Sequence, residues 1–185
     1  MITNSFILID SDYTFNMKNE PIIRMYGKEI DTDNDNIVLH IVGFYPYIYM
    51  GSEIDIFQFQ KIVKDVGNTY VKNVEIVKRY KPIGYQNEKS DFLKITLFSP
   101  KIVNEIKSLF KEKIEEIGDS NFYEADIKFT NRFMIDYNIN CFDVVKFNGL
   151  KLDNYGLMCD KLFICKVGDI RVDKGNCGAE MSYEY

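Results

Sequence analysis

Acidic side chains provide the first candidate for chemistry in this sequence. Asp31, Asp33 and Asp35 alternate in the turn DTDNDN, which is the spacing of the first three ligands of an EF-hand calcium loop. The sixth position of that loop is Asn36 instead of glycine, and the twelfth is Val42 instead of a bidentate glutamate. The pattern therefore does not predict a calcium site.

A second acidic pair, Asp10 and Asp12, resembles the paired carboxylates of two-metal nucleases. Such sites need further acids that converge from other elements, and no recognisable partner motif follows in the sequence. The pair is therefore predicted to lie at a strand end or turn. A small metal-dependent nuclease built on Asp10, Asp12 and the cluster at Asp31 is the least favoured class of function.

Three tyrosines, Tyr45, Tyr47 and Tyr49, alternate within the apolar segment IVLHIVGFYPYIYM, residues 37–50. On a strand this spacing places the three rings on one face. Such a face could stack unpaired nucleic-acid bases. It could equally form the outer wall of a core with the hydroxyls at its rim, which is the commoner role of tyrosines on strands. The spacing alone leaves both interpretations open.

Composition excludes several classes of protein. The chain has 185 residues, of which 46% are hydrophobic, and a net charge of -5. This size fits one domain or two small ones, and the acidic balance argues against a protein that mainly grips duplex DNA without specificity. No C-x-x-C pair occurs among the four cysteines, and the only histidine, His40, lies in the apolar segment. A zinc site is therefore not predicted, and reduced thiols are expected.

The sequence shows neither a signal peptide nor a run of about 20 apolar residues. We therefore expect no membrane partner and a location inside the cell, in the nucleus, the cytoplasm or a viral replication site, without secretion.

Hydrophobic periodicity predicts the elements that position these side chains. Strands at Phe6–Asp10 and Pro21–Tyr26 precede the central segment, in which Gly43 and Pro46 require a bend, a bulge or a sheet edge. There follow a helix at Ser52–Val66, strands at Val71–Lys81 and Phe92–Phe98, a helix capped by Ser99 and ended by Gly118, and a strand at Phe122–Ile127. This order predicts an α+β fold with a ferredoxin-like, RNA-recognition-like βαββαβ core and flanking β-strands.

The predicted domain boundaries follow from this order. Residues 1–36 would form N-terminal strands packed on the core, residues 37–139 the βαββαβ core, and residues 140–172 additional strands. Gly-rich, polar sequence begins at Gly168, so residues 173–185 are predicted to be a linker or tail.

Three blocks, in this order, resemble the N-terminal, pre-exonuclease region of family B DNA polymerases, with the greatest similarity to the delta-type replicative enzymes. They are PIIRMYGKEI with IVLHIVGFYPYIYM, then PIGYQNEKSDFLKITLFSP, then FYEADIKFTNRFMIDYNI. The resemblance implies a non-catalytic domain that packs against the exonuclease and palm domains and guides single-stranded template DNA. It also implies a parent protein that is a DNA-directed DNA polymerase with 3′–5′ exonuclease activity.

The catalytic motifs of that family are not matched. Neither the F-D-I-E motif of the exonuclease nor the Y-G-D-T-D-S context of the palm occurs, and Asp31-Thr32-Asp33 shares only three letters with the latter. We therefore expect no catalytic residue, no metal site and no cofactor in this chain, with Mg²⁺ belonging to the parent polymerase.

The resemblance and the tyrosine pattern together define the predicted nucleic-acid-binding residues. These are Tyr45, Tyr47, Tyr49, Lys128, Asn131 and Arg132. For Arg132 an ion pair with Asp126 or Asp136 is an equally good interpretation.

Some archaeal relatives trap template uracil in a pocket within this region. Pro46 and Tyr47 match two positions of that pocket, but Lys128 and Phe92 replace the proline and the small β-branched residue of those relatives. A specific uracil pocket is therefore not predicted.

Two alternatives to the polymerase domain belong to other classes of protein. One is a free-standing module that binds single-stranded DNA or RNA, against which the acidic net charge speaks mildly. The other is a polymerase-derived interaction domain that contacts only its neighbouring domains.

Overall fold

The computed structural model describes residues 2–30, 35–81, 88–119, 122–125, 127–152 and 160–174. These residues form the strands β1 (Ile2–Phe15), β2 (Pro21–Glu29), β3 (Asn36–Val42), β4 (Tyr47–Ser52), β5 (Val71–Tyr80), β6 (Lys89–Leu97), β7 (Phe122–Ala125), β8 (Val144–Leu152), β9 (Asp160–Lys166) and β10 (Ile170–Asp173). The helices are α1 (Ile56–Val66), α2 (Val103–Ile117) and α3 (Phe129–Asp136). The predicted α+β class is confirmed.

The chain divides into two compact units. Unit 1 comprises Met1–Phe44 and Phe129–Tyr185, and unit 2 comprises Tyr45–Lys128. This division differs from the predicted boundaries after residues 36 and 139. Unit 2 is inserted between two parts of the chain that share the sheet of unit 1.

The sheet of unit 1 has the strand order β1-β2-β3-β9-β8-β10, and β1 also pairs with β8. The long strand β1 makes both ends of this circuit, because residues 6–15 pair with β2 while residues 2–7 pair with β8. The five strands β1, β2, β3, β9 and β8 therefore close into a barrel, and β10 is added outside the circuit on β8. Strands β3 and β9 are parallel, whereas the other pairs of this sheet are antiparallel.

Alternating apolar side chains fill the interior of the barrel. Phe6 and Phe147 meet edge to face with ring centroids 5.8 Å apart, and Phe133 of α3 packs into the same cluster. Cys165 lies in this core too, and burial raises the pKa of its thiol to about 12. Burying apolar area at about 25 cal/mol per Å² makes this cluster the main source of stability for unit 1.

Unit 2 is a four-stranded antiparallel sheet with the strand order β5-β6-β4-β7. Its element order is β4-α1-β5-β6-α2-β7. Both helices pack on one face, where Phe59 and Val63 of α1 and Phe110 of α2 share a core with Ile48 and Met50 of β4. The residues of β4 that alternate with Ile48 and Met50 therefore point to the opposite face of the sheet.

The helix ends of unit 2 follow the local sequence. Helix α1 begins after Asp55, later than predicted, because the Asp55 carboxylate accepts a hydrogen bond from the Gln58 amide at 3.1 Å. The Ser99 hydroxyl accepts from the Lys101 amide, but a 3₁₀ turn precedes α2. Helix α2 ends at Gly118, whose φ of 108° lies in the left-handed region that glycine tolerates.

The structure corrects the interpretation of the central segment. Residues 37–50 form two strands in different sheets, β3 in unit 1 and β4 in unit 2, so the βαββαβ order starts at β4 and not at Ile37. Gly43, with φ at 98°, and Pro46 stand between the two strands. A left-handed residue and a residue without an amide donor end one ladder before the next begins.

Residues 170–173 form a strand although the sequence becomes Gly-rich and polar at Gly168. This strand lies within the additional strands predicted for residues 140–172, except for Asp173, which extends it into the predicted tail. A short 3₁₀ turn leads into β10, which pairs antiparallel with β8 from Ile170 to Asp173. A four-residue edge strand carries too short a pattern to be recognised by periodicity. The rest of the predicted tail, from residue 175, lies outside the described residues.

Candidate nucleic-acid interface

Two of the predicted tyrosines lie on the face of the unit 2 sheet that points away from the helices. Ile48 and Met50 of β4 belong to the core beneath the helices, so the alternating Tyr47 and Tyr49 point to the opposite side. Their rings meet edge to face, with centroids 5.4 Å apart and an interplanar angle of 76°. Tyr47 is 9% exposed, whereas Tyr49 is half-buried. The two rings therefore do not form a parallel stacking platform.

The rings of Tyr47 and Tyr49 each carry a cation. The Arg79 guanidinium carbon is 3.8 Å from the ring centroid of Tyr49, and the Lys94 ammonium is 4.3 Å from that of Tyr47. Both distances fall within the roughly 6 Å range of cation–π attraction. Strands β5 and β6 supply the two cations, so pairing of β4 with β6 and of β6 with β5 assembles the group. We call Tyr47, Tyr49, Arg79 and Lys94 the tyrosine–cation face.

Tyr45 was predicted to share a strand with Tyr47 and Tyr49, but in the structure it lies outside that strand. It precedes β4 and contacts Phe98 edge to face, with ring centroids 6.4 Å apart. The Lys72 ammonium stands 4.9 Å from the Tyr45 ring centroid and 5.8 Å from that of Phe98. Tyr45 thus repeats the tyrosine–cation arrangement just outside the strand, because Pro46 prevents β4 from starting earlier.

The other predicted binding residues lie around the start of α3. Lys128 is exposed and precedes the helix, and Asn131 is exposed on its first turn. Arg132 is only 12% exposed at its side chain, and its Nη1 lies 3.5 Å from Oδ1 of Asp136. The ion-pair interpretation of Arg132 with Asp136 therefore has a direct contact, while Asp126 lies outside the described residues. Asn131 and Arg132 belong to unit 1, whereas Lys128 and the tyrosines belong to unit 2.

A hydrogen-bonded group borders the tyrosine–cation face. Glu53 accepts hydrogen bonds from the Lys81 ammonium and the Tyr123 hydroxyl, both at 3.0 Å, and these bonds lower the pKa of the Glu53 carboxyl. The Lys81 ammonium also lies 4.8 Å from the Tyr123 ring centroid. Phe92, one of the two departures from the uracil pocket, is buried with its ring 6.3 Å from that of Tyr123. This aromatic side chain occupies the region that a small residue would leave open.

The acidic pair lies within β1, and not at a strand end or turn as predicted, and Asp12 of the pair has a structural partner. Asp12 accepts two hydrogen bonds from Arg24 on β2, at 2.7 and 2.8 Å, and Arg24 is directly opposite His40 on β3. The hydrogen bonds that Arg24 donates to Asp12 raise the pKa of the Arg24 guanidinium. Burial, followed by the nearby positive charge of Arg24, lowers the pKa of His40. Asp12, Arg24 and His40 therefore form a row of polar side chains across β1, β2 and β3. In this row, Asp12 and Arg24 form an ion pair and the neutral His40 lies beside it.

The lowered pKa of His40 predicts a pH-dependent stability. Below the unfolded pKa of about 6.5 the unfolded chain takes up a proton that the folded chain resists, so the free energy of unfolding falls as pH falls. We expect the urea midpoint to drop more in the wild type than in His40→Gln between about pH 7.5 and about pH 5.5. Equal drops in the two proteins would contradict a neutral His40 in the folded state.

The described residues contain neither a metal-binding cluster nor a membrane-spanning helix. No group of three or more histidine, cysteine, aspartate or glutamate side chains in these ranges could hold a metal ion. None of the helices seen there is both long and apolar enough to cross a membrane.

The chain is similar in sequence to catalytic subunits of DNA polymerase delta. The DNA polymerase delta catalytic subunit of Schizosaccharomyces pombe is 31% identical over 154 residues, covering 72% of this chain and 13% of that subunit. The subunit of Plasmodium falciparum is 29% identical over 153 residues with the same coverages, and that of Arabidopsis thaliana is 31% identical over 139 residues, covering 64% of this chain and 12% of that subunit. No family model matches the chain.

A solved structure supports the same relationship at the level of fold. The family B DNA polymerase of Pyrobaculum calidifontis superposes with a TM-score of 0.64 at 22% identity, covering 92% of this chain and 21% of that protein. The chain is thus related to the family B DNA polymerases. Its sequence relatives are the catalytic subunits of DNA polymerase delta, which confirms the predicted resemblance. The chain spans about 13% of the length of the Schizosaccharomyces pombe and Plasmodium falciparum subunits.

The two cations of the tyrosine–cation face, Arg79 and Lys94, were not among the residues predicted to bind nucleic acid. Arg79 and Lys94 lie on the predicted strands at Val71–Lys81 and Phe92–Phe98, and both are half-buried in the structure. Their signal was a basic residue on each of two strands beside an aromatic strand, but which ring each cation covers depends on the sheet order. The part of the site that could be predicted from the sequence was the placement of Tyr47 and Tyr49 on one face of a strand.

Proposed function

We propose that this chain is a non-catalytic N-terminal domain of a family B DNA-directed DNA polymerase acting in DNA replication. It scaffolds the exonuclease and palm domains of the parent polymerase and guides single-stranded template DNA. The observation that carries the template role is the tyrosine–cation face, in which Arg79 covers Tyr49 at 3.8 Å and Lys94 covers Tyr47 at 4.3 Å. The relatives, which are polymerase delta catalytic subunits, supply the wider context.

The chemistry of this face suits unpaired DNA. Single-stranded nucleic acid is held by stacking of bases on aromatic rings together with cations that contact the phosphates. Arg79 and Lys94 now rest on the rings of Tyr49 and Tyr47. A bound strand draws these cations toward its phosphates, and the ring faces that they leave become available to bases. Tyr49 is the more accessible ring and therefore the principal stacking residue.

The remaining predicted residues take a secondary part in this proposal. Lys128 and Asn131 are exposed and suited to phosphate or sugar contacts. Arg132 contributes less because it already faces Asp136 and is largely covered. Tyr45 and Lys72 add a further aromatic ring and a further cation just before the start of β4.

We also propose that unit 2 is a ferredoxin-like core related to RNA-recognition modules. Its βαββαβ element order, its antiparallel strand order β5-β6-β4-β7 and its two helices on one face support this assignment. In unit 1, the closed barrel and its parallel β3–β9 pair resemble the oligonucleotide-binding fold. Fold likeness does not assign function by itself, so the template role rests on the side chains described above.

The catalytic activities, the metal ion and the cellular location in this proposal are those of the parent polymerase. Polymerisation, the 3′–5′ exonuclease reaction and the Mg²⁺ that serves them belong to the parent polymerase, with a location at an intracellular site of DNA replication. The described residues include no acidic cluster that fits Mg²⁺, so no step is assigned to that ion here. A free-standing single-strand-binding module is the second candidate, and the same tyrosine–cation face favours it.

The proposal predicts that this chain binds single-stranded DNA through Tyr49 and Arg79. The double variant Tyr49→Leu, Arg79→Gln keeps apolar bulk on β4 but removes the aromatic ring and the charge. Loss of one stacked base and one phosphate contact should weaken binding roughly tenfold or more. Fluorescence anisotropy of a labelled oligothymidine, read at low and at moderate salt, measures the dissociation constant.

Two matched variants make this test specific. Lys61→Gln removes one charge from the exposed side of α1 in the same unit and should leave the affinity nearly unchanged. Tyr49→Phe with Arg79→Lys retains a ring and a charge and should recover most of the binding. If Tyr49→Leu, Arg79→Gln binds as tightly as Lys61→Gln, the tyrosine–cation face is not a template track.

A further inference from the structure

A basic depression lies on the outer surface of unit 1, beside the added strand β10. It has a volume of about 230 Å³ and is lined by Lys146, Arg171, Val172, Asp173 and Lys174. Three of these five side chains are cations and one is an acid. The depression is formed by strands β8 and β10 of unit 1 and by Lys174, which follows β10. It shares no residue with the tyrosine–cation face, which belongs to unit 2.

The register of the strands places like charges next to each other in this depression. Arg171 on β10 is the direct cross-strand partner of Lys146 on β8. Like charges directly opposite each other destabilise an antiparallel pair, whereas opposite charges at such positions stabilise it. The arrangement is therefore unfavourable for the sheet unless an anion lies between the two side chains.

Nearby acids neutralise the cations only in part. The closest approach of Lys146 to Asp173 is 3.7 Å, which is beyond hydrogen-bond distance. Lys174 pairs with Asp143, whose carboxylate also accepts a hydrogen bond from the Asn140 amide at 2.8 Å. Three cations thus face two acids, and one of the acids is shared with the backbone.

Among the described residues, no acid neutralises Arg171 in this way. Arg171 is exposed, and within the described ranges its guanidinium forms no ion pair with an acid. A guanidinium offers paired donors that match two oxygens of one phosphate, and an ammonium on each side can contact the remaining oxygens. The depression therefore has the donor types and the residual charge that suit a phosphate group.

We propose that Lys146, Arg171 and Lys174 bind a phosphate of a nucleic-acid backbone, as a second DNA contact of this chain. The choice of DNA as the source of the phosphate rests on the proposed function. Phosphate contacts fix the position of a strand without reading its sequence. This site accordingly holds DNA in register without base specificity, while the tyrosine–cation face provides the stacking contacts.

A different role for the same charges is protection of a sheet edge. Charged side chains on an edge strand such as β10 discourage pairing with another chain. Under that role, removing the charges would promote self-association and would not alter DNA binding. The two roles therefore predict different outcomes for one variant.

The test uses the double variant Lys146→Gln, Arg171→Gln with labelled oligothymidine and fluorescence anisotropy. We expect the dissociation constant to rise about tenfold, and the slope of log K against log salt to become less negative by about 0.7, since one phosphate contact is lost and each single-strand phosphate contact contributes about 0.7. The control Lys61→Gln, Lys64→Gln removes the same charge from the exposed side of α1. An effect no larger than in this control would overturn the proposal.

Two further readouts separate a binding role from a structural one. Inorganic pyrophosphate should shift the side-chain NMR signal of Arg171 in the wild type and compete with the oligonucleotide. The melting temperature of the double variant should equal or exceed that of the wild type, because a like-charge pair has been removed. Pyrophosphate binding at this site without any DNA competition would overturn DNA as the source of the phosphate. A lower melting temperature with unchanged affinity and increased self-association would favour edge protection instead.

The outcome for this site is independent of the outcome for the tyrosine–cation face. If Tyr49→Leu, Arg79→Gln loses binding while Lys146→Gln, Arg171→Gln behaves like its control, only the phosphate site is overturned. If the reverse holds, the phosphate site stands and the template role of the tyrosines fails. Absence of DNA binding by the wild type at low salt would overturn both.

Discussion

Replacing Gly27 with alanine should unfold the barrel of unit 1. Gly27 lies on β2 opposite Leu8 of β1. A Cβ at position 27 would stand 2.2 Å from the carbonyl oxygen of Ile7 and 2.2 Å from the Cδ2 of Phe6. A side chain can rotate away, but the Ile7 oxygen is backbone, so the whole β1–β2 ladder would have to move. We expect a loss of about 3 kcal/mol or more in the free energy of unfolding.

The measurement for Gly27→Ala is urea unfolding followed by far-ultraviolet circular dichroism. The matched control is Gly168→Ala, because a Cβ at Gly168 would meet nothing within 4 Å. This control should unfold at the wild-type urea concentration. A Gly27→Ala variant as stable as Gly168→Ala would show that β1 and β2 are not packed as described.

Truncating Phe110 should produce the largest loss of stability in unit 2. Phe110 of α2 is fully buried in the core between the helices and the sheet, together with Phe59 of α1 and Leu93 of β6. Phe110→Ala would remove a ring from a close-packed site and leave a cavity that its neighbours cannot fill. We expect a loss of about 3 to 5 kcal/mol.

Amide hydrogen exchange reports this loss in the unit where it occurs. In Phe110→Ala the amides of β6 should exchange far faster than in the wild type, since each 1.4 kcal/mol is a factor of about ten. Phe57→Ala, the control, truncates a ring that is 67% exposed on α1, and its effect should stay within about 0.5 kcal/mol. Similar exchange rates in the two variants would contradict the assignment of Phe110 to the core of unit 2.

Local patterns in the sequence predicted the helices of unit 2 well. The apolar stripe of α2 contains Ile106, Phe110 and Ile114, which the structure buries, and Gly118 ends the helix as expected. Helical periodicity and a terminal glycine are properties of consecutive residues. They can therefore be read without knowing what the helix packs against.

Sheet membership could not be read in the same way. Strand β3 pairs with β9, which is more than a hundred residues further along the chain. The apolar run that contains β3 continues toward β4 with similar residue types, so composition gave no indication that the two strands join different sheets. The separation depends on the left-handed Gly43 and on partners supplied by distant segments.

The candidate site shows the same division between local and distant information. Alternation predicted that Tyr47 and Tyr49 share a face, and they are neighbours in the structure. The cations that cover them come from β5 and β6, and only the observed strand pairing brings Arg79 over Tyr49. Tyr45 was misplaced on the strand because a period of two was extended through Pro46.

Photocrosslinking is the measurement that tests the central claim most directly. An oligonucleotide carrying 5-iododeoxyuridine would be bound to the chain at low salt, irradiated, and its crosslinked peptides mapped by mass spectrometry. Because the halogenated base reacts with an aromatic ring on which it stacks, the account predicts crosslinks to Tyr49 or Tyr47 that are lost in Tyr49→Leu, Arg79→Gln. Crosslinks confined to peptides outside β4, or unchanged in that variant, would contradict a template track on the tyrosine–cation face.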